Sequence, residues 1–362
     1  MKVSTVEQMR LLDKTAIEKF GIKDELLMEN AGGAVFQILN DTFEIQGTHF
    51  SVVCGGGNNG GDGLVVARQI YSLGGLPHVI LLGDPKTFKG AAKINYEIAL
   101  KIGVPIERAP DIEIMDDILN ASDVIIDAIF GTGLEREVKG LYKDAIVSMN
   151  NSGLPLLSID IPSGVNGNNG QVMGVAVEAD ITVSFGLPKL GNVLYPGYAL
   201  AGELWVTHIS FPPELTASKS IKTEINEPLP LPSRPEDGHK TSFGDVLFIA
   251  GAAGYLGAPY FSAMSFLKAG GGYARLAAPV SVVNTLGSGG SEIVFIPLKE
   301  TKSGSIAKNN TRELKKLSQK VDFVVIGPGL SLEEETQELI RELISTIDKP
   351  LLIDGDGITA VC

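Results

Sequence analysis

The sequence predicts two α/β domains in tandem, each a parallel sheet with helices on both faces. Three observations carry that reading. Short β-branched runs alternate with helical stretches along the chain, and such alternation calls for crossover connections and parallel strands. Glycine is abundant, 43 of 362 residues, while aromatic residues make up only 6%, a balance suited to tight strand-to-helix turns rather than an all-β sandwich. A proline-rich interval interrupts the pattern once, at Pro212, Pro213, Pro228, Pro230, Pro232 and Pro235, and the alternation restarts beyond it. The expected boundaries are 1–211 for the first domain, 212–238 for the linker and 239–362 for the second domain. With 44% hydrophobic residues, there is enough apolar material for two cores.

The opening segment reads as a helix. Ser4 and Glu7 have capping-box spacing, Val6, Met9, Leu12, Ala16, Ile17 and Phe20 recur near one face, and Gly21 stops the run. A second helix is expected from 24 to about 43. The strand 49–54 runs into GGGNNGGDG and a helix over 64–73. The strand 78–82 precedes a helix around 91–102, and the strand 123–129 ends in FGTGLERE before a helix over 142–150. The strand 154–159 ends in DIPSG, and 180–185 and 204–209 read as further strands. In the second domain the order is strand 245–250, helix 259–268, strands 273–277 and 292–297, helix 311–320, strand 322–326, helix 332–347 and strand 351–354. Eight residues follow that last strand with no helix expected, which leaves the sheet with an open edge.

Thirty Lys plus Arg against 43 Asp plus Glu give a net charge of −13. Such a surface repels phosphate backbones and anionic lipid, so neither a nucleic-acid nor a membrane partner is expected. An anionic ligand must then be held locally, by backbone N–H groups, helix N-termini or a bound cation. Cys54, inside an apolar run, and Cys362, the last residue, cannot build a disulfide framework, which fits a reducing compartment. The charged opening segment has no signal-peptide core, and no run reaches the ~18 apolar residues of a membrane span. The expectation is a cytoplasmic protein.

Gly55, Gly57 and Gly60 satisfy G-x-G-x-x-G between a strand and a helix, with Asp84 a candidate ribose acid at the end of the next strand. Glycines of this kind also mark plain tight turns. Asn58, Asn59 and Asp62 add polar side chains to a loop in which a dinucleotide turn needs only backbone. Asp127 ends VIIDAIFGTG, Asp160 ends LLSIDIPSG, and Ser163 lies just beyond. Strand C-termini of an open parallel sheet line one crevice, so Asn59, Asp62, Asp127, Asp160 and Ser163 should converge there. The bland alternative is that these are helix caps. Amide, hydroxyl and carboxylate oxygens suit K⁺, Mg²⁺ or Ca²⁺ better than zinc. His49, His78, His208 and His239 are scattered without ligand spacing. No G-x-S-x-G elbow and no P-loop occurs, which removes serine hydrolases and Walker-type ATPases.

The segments LLMENAG, CGGGNNGGDGLVVAR, DAIFGTGL, SIDIPSGVN and FGLPKLGNVLYPG, in this order, closely resemble the NAD(P)H-hydrate epimerase domain. KTSFGDVLFIAGAAGYLGAP, IGPGL and LLIDGDGI resemble the start of the ribokinase-like NAD(P)H-hydrate dehydratase domain. The resemblance implies a Rossmann-like three-layer αβα epimerase domain followed by an incomplete ribokinase-like α/β domain, as in bifunctional nicotinamide-repair enzymes. It implies that Asn58, Asn59, Gly60, Gly61 and Asp62, with Gly131, Thr132, Gly133, Leu134, Glu135, Arg136 and Glu137, bind the hydrated cofactor NAD(P)HX. Asp160 would be the catalytic group at the reacting ring, and Asn59, Asp127 and Ser163 would hold K⁺. In the second domain Ala258 and Gly329 would touch hydrate or nucleotide, the latter ADP or ATP with Mg²⁺. A homo-oligomer is expected. The HPGE-like and GSGD motifs of the family dehydratase do not occur, and its DADAIN reads DGDGIT at 354–359. The expectation is therefore an isomerase whose dehydratase half is truncated and inactive. An NAD(P)-dependent oxidoreductase and a non-catalytic nucleotide-binding module are the competing readings.

Overall fold

A computed structural model describes residues 1–108, 111–231, 233–289 and 292–362, so Pro232 of the expected linker lies outside the described residues. The first part contains α1 (Val6–Glu18), α2 (Asp24–Thr42), β1 (His49–Cys54), α3 (Asn58–Ser72), β2 (Leu76–Leu81), α4 (Gly90–Ile102) and β3 (Ile106–Arg108). It continues through α5 (Ile112–Asn120), β4 (Val124–Ala128), α6 (Leu141–Asn151), β5 (Leu156–Ile159) and β6 (Ile181–Phe185). It closes with α7 (Leu190–Val193), α8 (Gly197–Leu200), β7 (Glu203–Thr207) and α9 (Pro213–Thr216).

All seven strands are parallel, in the order β3-β2-β1-β4-β5-β6-β7. β1 shows why the sheet is buried on both faces. Phe50, Val52 and Cys54 point into one apolar cluster and Val53 into the other, so its alternate residues feed two helical layers. The chain winds from β1 out to β3 and then crosses back to β4 on the other side of β1. The loops after β1 and β4 therefore part company at the C-terminal edge, and a crevice opens there.

Two local readings change. The capping box of α1 is formed by Thr5 and Gln8: Thr5 Oγ1 accepts from Gln8 N (3.1 Å) and Gln8 Oε1 accepts from Thr5 N (2.9 Å). Ser4 instead turns inward toward the Pro188 carbonyl (3.4 Å). Helix α3 begins at Asn58, not near 64, so Asn59 and Asp62 sit on its first turns and not in a loop. Glycine is a poor helix former, but packing overrides propensity here. A Cβ on Gly60 would lie 2.0 Å from the Gly55 carbonyl oxygen, so only glycine lets the helix start against the β1 turn. The short edge strand β3 and helix α5 carried too little pattern to be read.

The chain divides into compact units Met1–Leu229 and Pro230–Cys362. Leu215 and Ile221, within the stretch read as linker, are buried in the first core, and Val3 N donates to the Thr223 carbonyl (3.0 Å). The second unit contains β8 (Asp245–Ile249), α10 (Gly257–Lys268), β9 (Tyr273–Pro279), α11 (Val280–Gly287) and β10 (Val294–Leu298). It continues with α12 (Thr311–Ser318), β11 (Phe323–Ile326), α13 (Glu334–Thr346), β12 (Leu351–Ile353) and α14 (Asp356–Val361). Its strands are parallel in the order β10-β9-β8-β11-β12, and β12 has β11 as its single neighbour among the described residues. A helix does follow the last strand, contrary to the sequence reading. Two glycines near its start hide it from propensity, while burial of Gly357 and Ala360 holds it in place. Among the described residues no helix is long and apolar enough to cross a membrane.

Candidate active site

A cleft of about 540 Å³ opens at the C-terminal edge of the first sheet. The turn after β1 and the start of α3 supply Gly56, Gly57, Asn58, Asn59 and Asp62, and the turn after β4 supplies Ile129 through Leu134. Asp160 enters from the end of β5 and Lys189 from the residue before α7. Helix α1 forms a further wall through Met9, Arg10, Asp13 and Ile17.

Asp160 is one of three non-glycine residues with left-handed backbone among the described residues, at φ +70°. That conformation is costly for any side chain and persists only where neighbours enforce it. Here its N–H donates to the Val183 carbonyl (2.7 Å) and its own carbonyl accepts from Asn192 Nδ2 (3.2 Å). The turn so fixed presents the carboxylate to Lys189, which is 1% exposed and forms an ion pair with it. The same ammonium donates to Ser184 Oγ (3.1 Å) and the Phe185 carbonyl (3.3 Å), so all three of its N–H bonds have acceptors.

Two more carboxyls face this one cation. Burial, then the charges of Asp160 and Asp13, hold Asp62 well above the usual carboxylate range, against the opposing pull of Lys189. Asp13 is pushed up to about 6, chiefly by burial and less by Asp160, while Lys189 pulls it down. The cleft therefore combines a carboxylate paired with a lysine, a second carboxyl whose proton affinity burial raises, and a third pushed up to about 6.

Asp127 lies under the floor of the cleft, not in its walls. Its Oδ1 accepts from Ser163 Oγ (2.5 Å) and Ile129 N (3.2 Å), and its Oδ2 from Ser158 Oγ (2.8 Å) and Ser163 N (2.8 Å). Burial raises its pKa although those bonds oppose the rise. Ser163 Oγ in turn accepts from Phe130 N (2.8 Å) and lies 3.3 Å from the Phe130 carbonyl oxygen. The Asn59 amide nitrogen is buried without a partner, and a Cβ on Gly131 would lie 3.3 Å from Asn59 Oδ1. Among the described residues no group of three or more His, Cys, Asp or Glu could hold a metal. The available donors are thus amide, hydroxyl and carbonyl oxygens beside one carboxylate, a set suited to a hard cation of low charge.

Of the loop residues expected to bind substrate, Gly131, Thr132, Gly133 and Leu134 line the cleft. Glu135 pairs with Arg10 (3.4 Å), Glu137 pairs with Lys139 (2.9 Å), and Arg136 is exposed. Gly60 and Gly61 are buried in the packing of α3. Asp84 caps a short 3₁₀ turn, accepting from Lys86 N (2.9 Å), and does not line the cleft. The sequence reading does not single out Lys189 or Asp13, both of which line the cleft. The available signals were a lone cation inside FGLPKLGNV and a carboxylate interrupting the apolar stripe of α1.

In the second unit, Ala258 and Gly329 come together. Gly329 has φ +65°, and a Cβ on it would lie 3.3 Å from Ala258 Cβ and 2.8 Å from Tyr255 Cβ.

Two family models match the chain: "YjeF-related protein N-terminus" over residues 24–191 and "NAD(P)H-hydrate dehydratase" over residues 246–362. The chain is 48% identical to the bifunctional NAD(P)H-hydrate repair enzyme Nnr of Thermofilum pendens, over 100% of this chain and 69% of that one. It is 34% identical to the enzyme of the same name from Moorella thermoacetica, over 100% of this chain and 70% of that one. The crystal structure of yeast ynu0, 24% identical, matches with a TM-score of 0.53 over 63% of this chain and 96% of that chain, in agreement on the fold. The chain belongs to the family of bifunctional NAD(P)H-hydrate repair enzymes, with a Rossmann-like epimerase unit followed by a ribokinase-like dehydratase unit.

Proposed function

We propose that the first unit interconverts R- and S-NAD(P)HX, the nicotinamide cofactor hydrated at C6, with Asp160 as the acid–base group at the reacting ring. The observation that carries this reading is the Asp160–Lys189 ion pair, set on a left-handed turn at the sheet's switch point. C6 is a hemiaminal carbon. Its hydroxyl leaves with proton help, the ring nitrogen lone pair stabilises the resulting iminium, and water returns to the other face. No electrons are exchanged with a second substrate, so no hydride acceptor is needed. Lys189 acts as a positioning residue that keeps the Asp160 carboxylate in one place. Asp62, whose proton affinity burial raises, lines the same cleft beside Asp160.

The start of α3 directs free backbone N–H groups at the cleft, where the substrate diphosphate would lie. Asn59, Asp127 and Ser163 would hold K⁺, and the unpartnered Asn59 amide shows a side chain not committed to the fold. Bound there, K⁺ would offset phosphate charge. Replacing K⁺ with a bulky organic cation should weaken substrate binding, measured as a higher KM, and Asp127→Ala should abolish that response. In the second unit Ala258 and Gly329 would touch hydrate or nucleotide, ADP or ATP with Mg²⁺. Asp84, the acid a hydride-transfer site would set on the ribose, caps a turn outside the cleft lining, which favours the epimerase reading. A cytoplasmic homo-oligomer completes the reading.

The test is incubation of the purified protein with one separated epimer and chromatographic resolution of the products. Conversion well above a no-enzyme blank is expected. An unchanged epimer would overturn the reading.

A further inference from the structure

Inversion at C6 requires proton handling on both faces of the ring. The departing hydroxyl takes a proton on one face, and the incoming water gives one up on the other. Asp160 is held by Lys189 and by its own backbone turn, so its carboxylate serves one face.

We propose that Asp13 of α1 is the second proton-transfer group of this cleft and serves the ring face that Asp160 does not reach; the proposal rests on the epimerase reading above. Helix α1 precedes the matched family region, 24–191, yet it walls the cleft. Helical spacing puts Met9, Asp13 and Ile17 on one face, and all three line the cleft. The Asp13 carboxylate makes no hydrogen bond or ion pair with any described residue, and Lys189, already paired with Asp160, acts on it through space. The charged groups that line the cleft with it are Arg10 on its own helix, Asp24 of α2, Asp62 of α3, Asp160 after β5 and Lys189 before α7, and of these Asp62, Asp160 and Lys189 interact electrostatically with Asp13. Arg10 is engaged by Glu135, and Lys189 by Asp160. Desolvation places the Asp13 carboxyl at about 6, where it gives and takes protons readily at neutral pH.

The Asp13 carboxyl gives its proton to the C6 hydroxyl, the C6–O bond breaks with its electron pair going to oxygen, and a water leaves. The N1 lone pair forms the C6=N1 bond of the iminium. A water on the Asp160 side then bonds through oxygen to C6, the π pair returns to N1, and Asp160 takes the released proton. The reverse reaction exchanges the two carboxyls, and solvent resets them between turnovers in one direction.

The test uses each separated epimer in H₂¹⁸O with wild type, Asp13→Asn and Asp160→Asn. Wild type should invert both epimers with ¹⁸O incorporation. Asp13→Asn should invert at least ~10²-fold more slowly, and still exchange oxygen into one epimer without inverting it. Asp160→Asn should keep exchange in the opposite epimer. The wild-type pH–rate limb near 6 should be absent from Asp13→Asn and return in Asp13→Glu. Inversion by Asp13→Asn at the wild-type rate, retained exchange in the same epimer for both variants, or loss of all exchange in a folded Asp13→Asn protein would each overturn the proposal. A wild-type protein that neither inverts nor exchanges would sink the epimerase reading itself, a result separate from any of these. The Asn variant removes a desolvated charge at constant shape, so its thermal midpoint at pH 7 should not fall below that of wild type.

Discussion

The C-terminal edge of the first sheet carries Asp62, Asp127, Asp160 and Lys189, whereas that of the second carries Gly251, Gly327, Gly329 and Gly355, all at positive φ. Among the described residues, the buried charged side chains Asp127, Asp160 and Lys189 all belong to the first unit, and the buried polar side chains of the second, Ser305, Asn310, Ser318 and Thr336, are neutral. One topology therefore supports two designs at its switch point. The first unit desolvates charge and so shifts proton affinities, which suits acid–base chemistry. The second uses glycine where its own chain segments approach closely: a Cβ would lie 1.7 Å from the Asp354 carbonyl oxygen at Gly327 and 2.8 Å from Tyr255 Cβ at Gly329.

The comparison breaks most readily at Asp160. Asp160→Asn keeps shape but removes the ionisable group, so epimerisation should fall by at least ~10²-fold with a much smaller change in substrate affinity, measured by initial rates and by equilibrium binding. If the rate persists, the first unit does not depend on that carboxylate and the contrast with the second loses its basis. Lys189→Met should follow in size. It leaves Asp160 desolvated without its cation, which costs about 3–5 kcal/mol in a buried pair, read from urea unfolding of the first unit. The double variant Lys189→Met/Asp160→Asn should recover much of that loss, because a neutral pair no longer strands a charge. In the second unit the sensitive element is backbone. Gly327 has φ +132°, and a Cβ on it would lie 1.7 Å from the Asp354 carbonyl oxygen. Gly327→Ala should therefore lower the second unit's stability by about 1–3 kcal/mol or more, and leave epimerisation as in wild type.

The same contrast explains what the sequence reveals. β1 is read to the residue because β-branched runs buried on both faces declare themselves locally. Asn59 lies in the first turn of the helix after β1, Asp127 lies near the end of β4 and Asp160 directly follows β5, and parallel topology alone sends those strand ends to one edge. Lys189 and Asp13 come from other elements, and their roles depend on burial and on neighbours distant in sequence, neither of which a local pattern encodes. The starts of α3 and α14 fail for a related reason: glycines that weaken a helix in isolation are what allow these helices to pack.

The smallest expected effect separates the units by the sign of their response to pH. In the first unit the folded state holds protons on Asp13 and Asp62 more tightly than the unfolded chain, whose Asp groups titrate near 3.9. That contribution is complete below the unfolded value and is lost as pH rises through the folded one, about 6 for Asp13 and likewise raised for Asp62. In the second unit, hydrogen bonds from Ser303 and Thr301 lower the pKa of Glu333, and a hydrogen bond from Lys308 lowers that of Glu338. Their contribution is present above the unfolded value and is lost as pH falls through the folded one. Both glutamates lie at the surface, so solvent screens them and the second effect is the weaker. Calorimetry between pH 4 and 7 should show the first unit's transition moving down with rising pH while the second holds level or moves up. Asp13→Asn should flatten the first response up to about pH 6 and leave the remainder, set by Asp62, in place. Two transitions that move together, with no change on Asp13→Asn, would mean that the cleft carboxyls are solvated like any surface acid, and the electrostatic distinction between the two sheet edges would not hold.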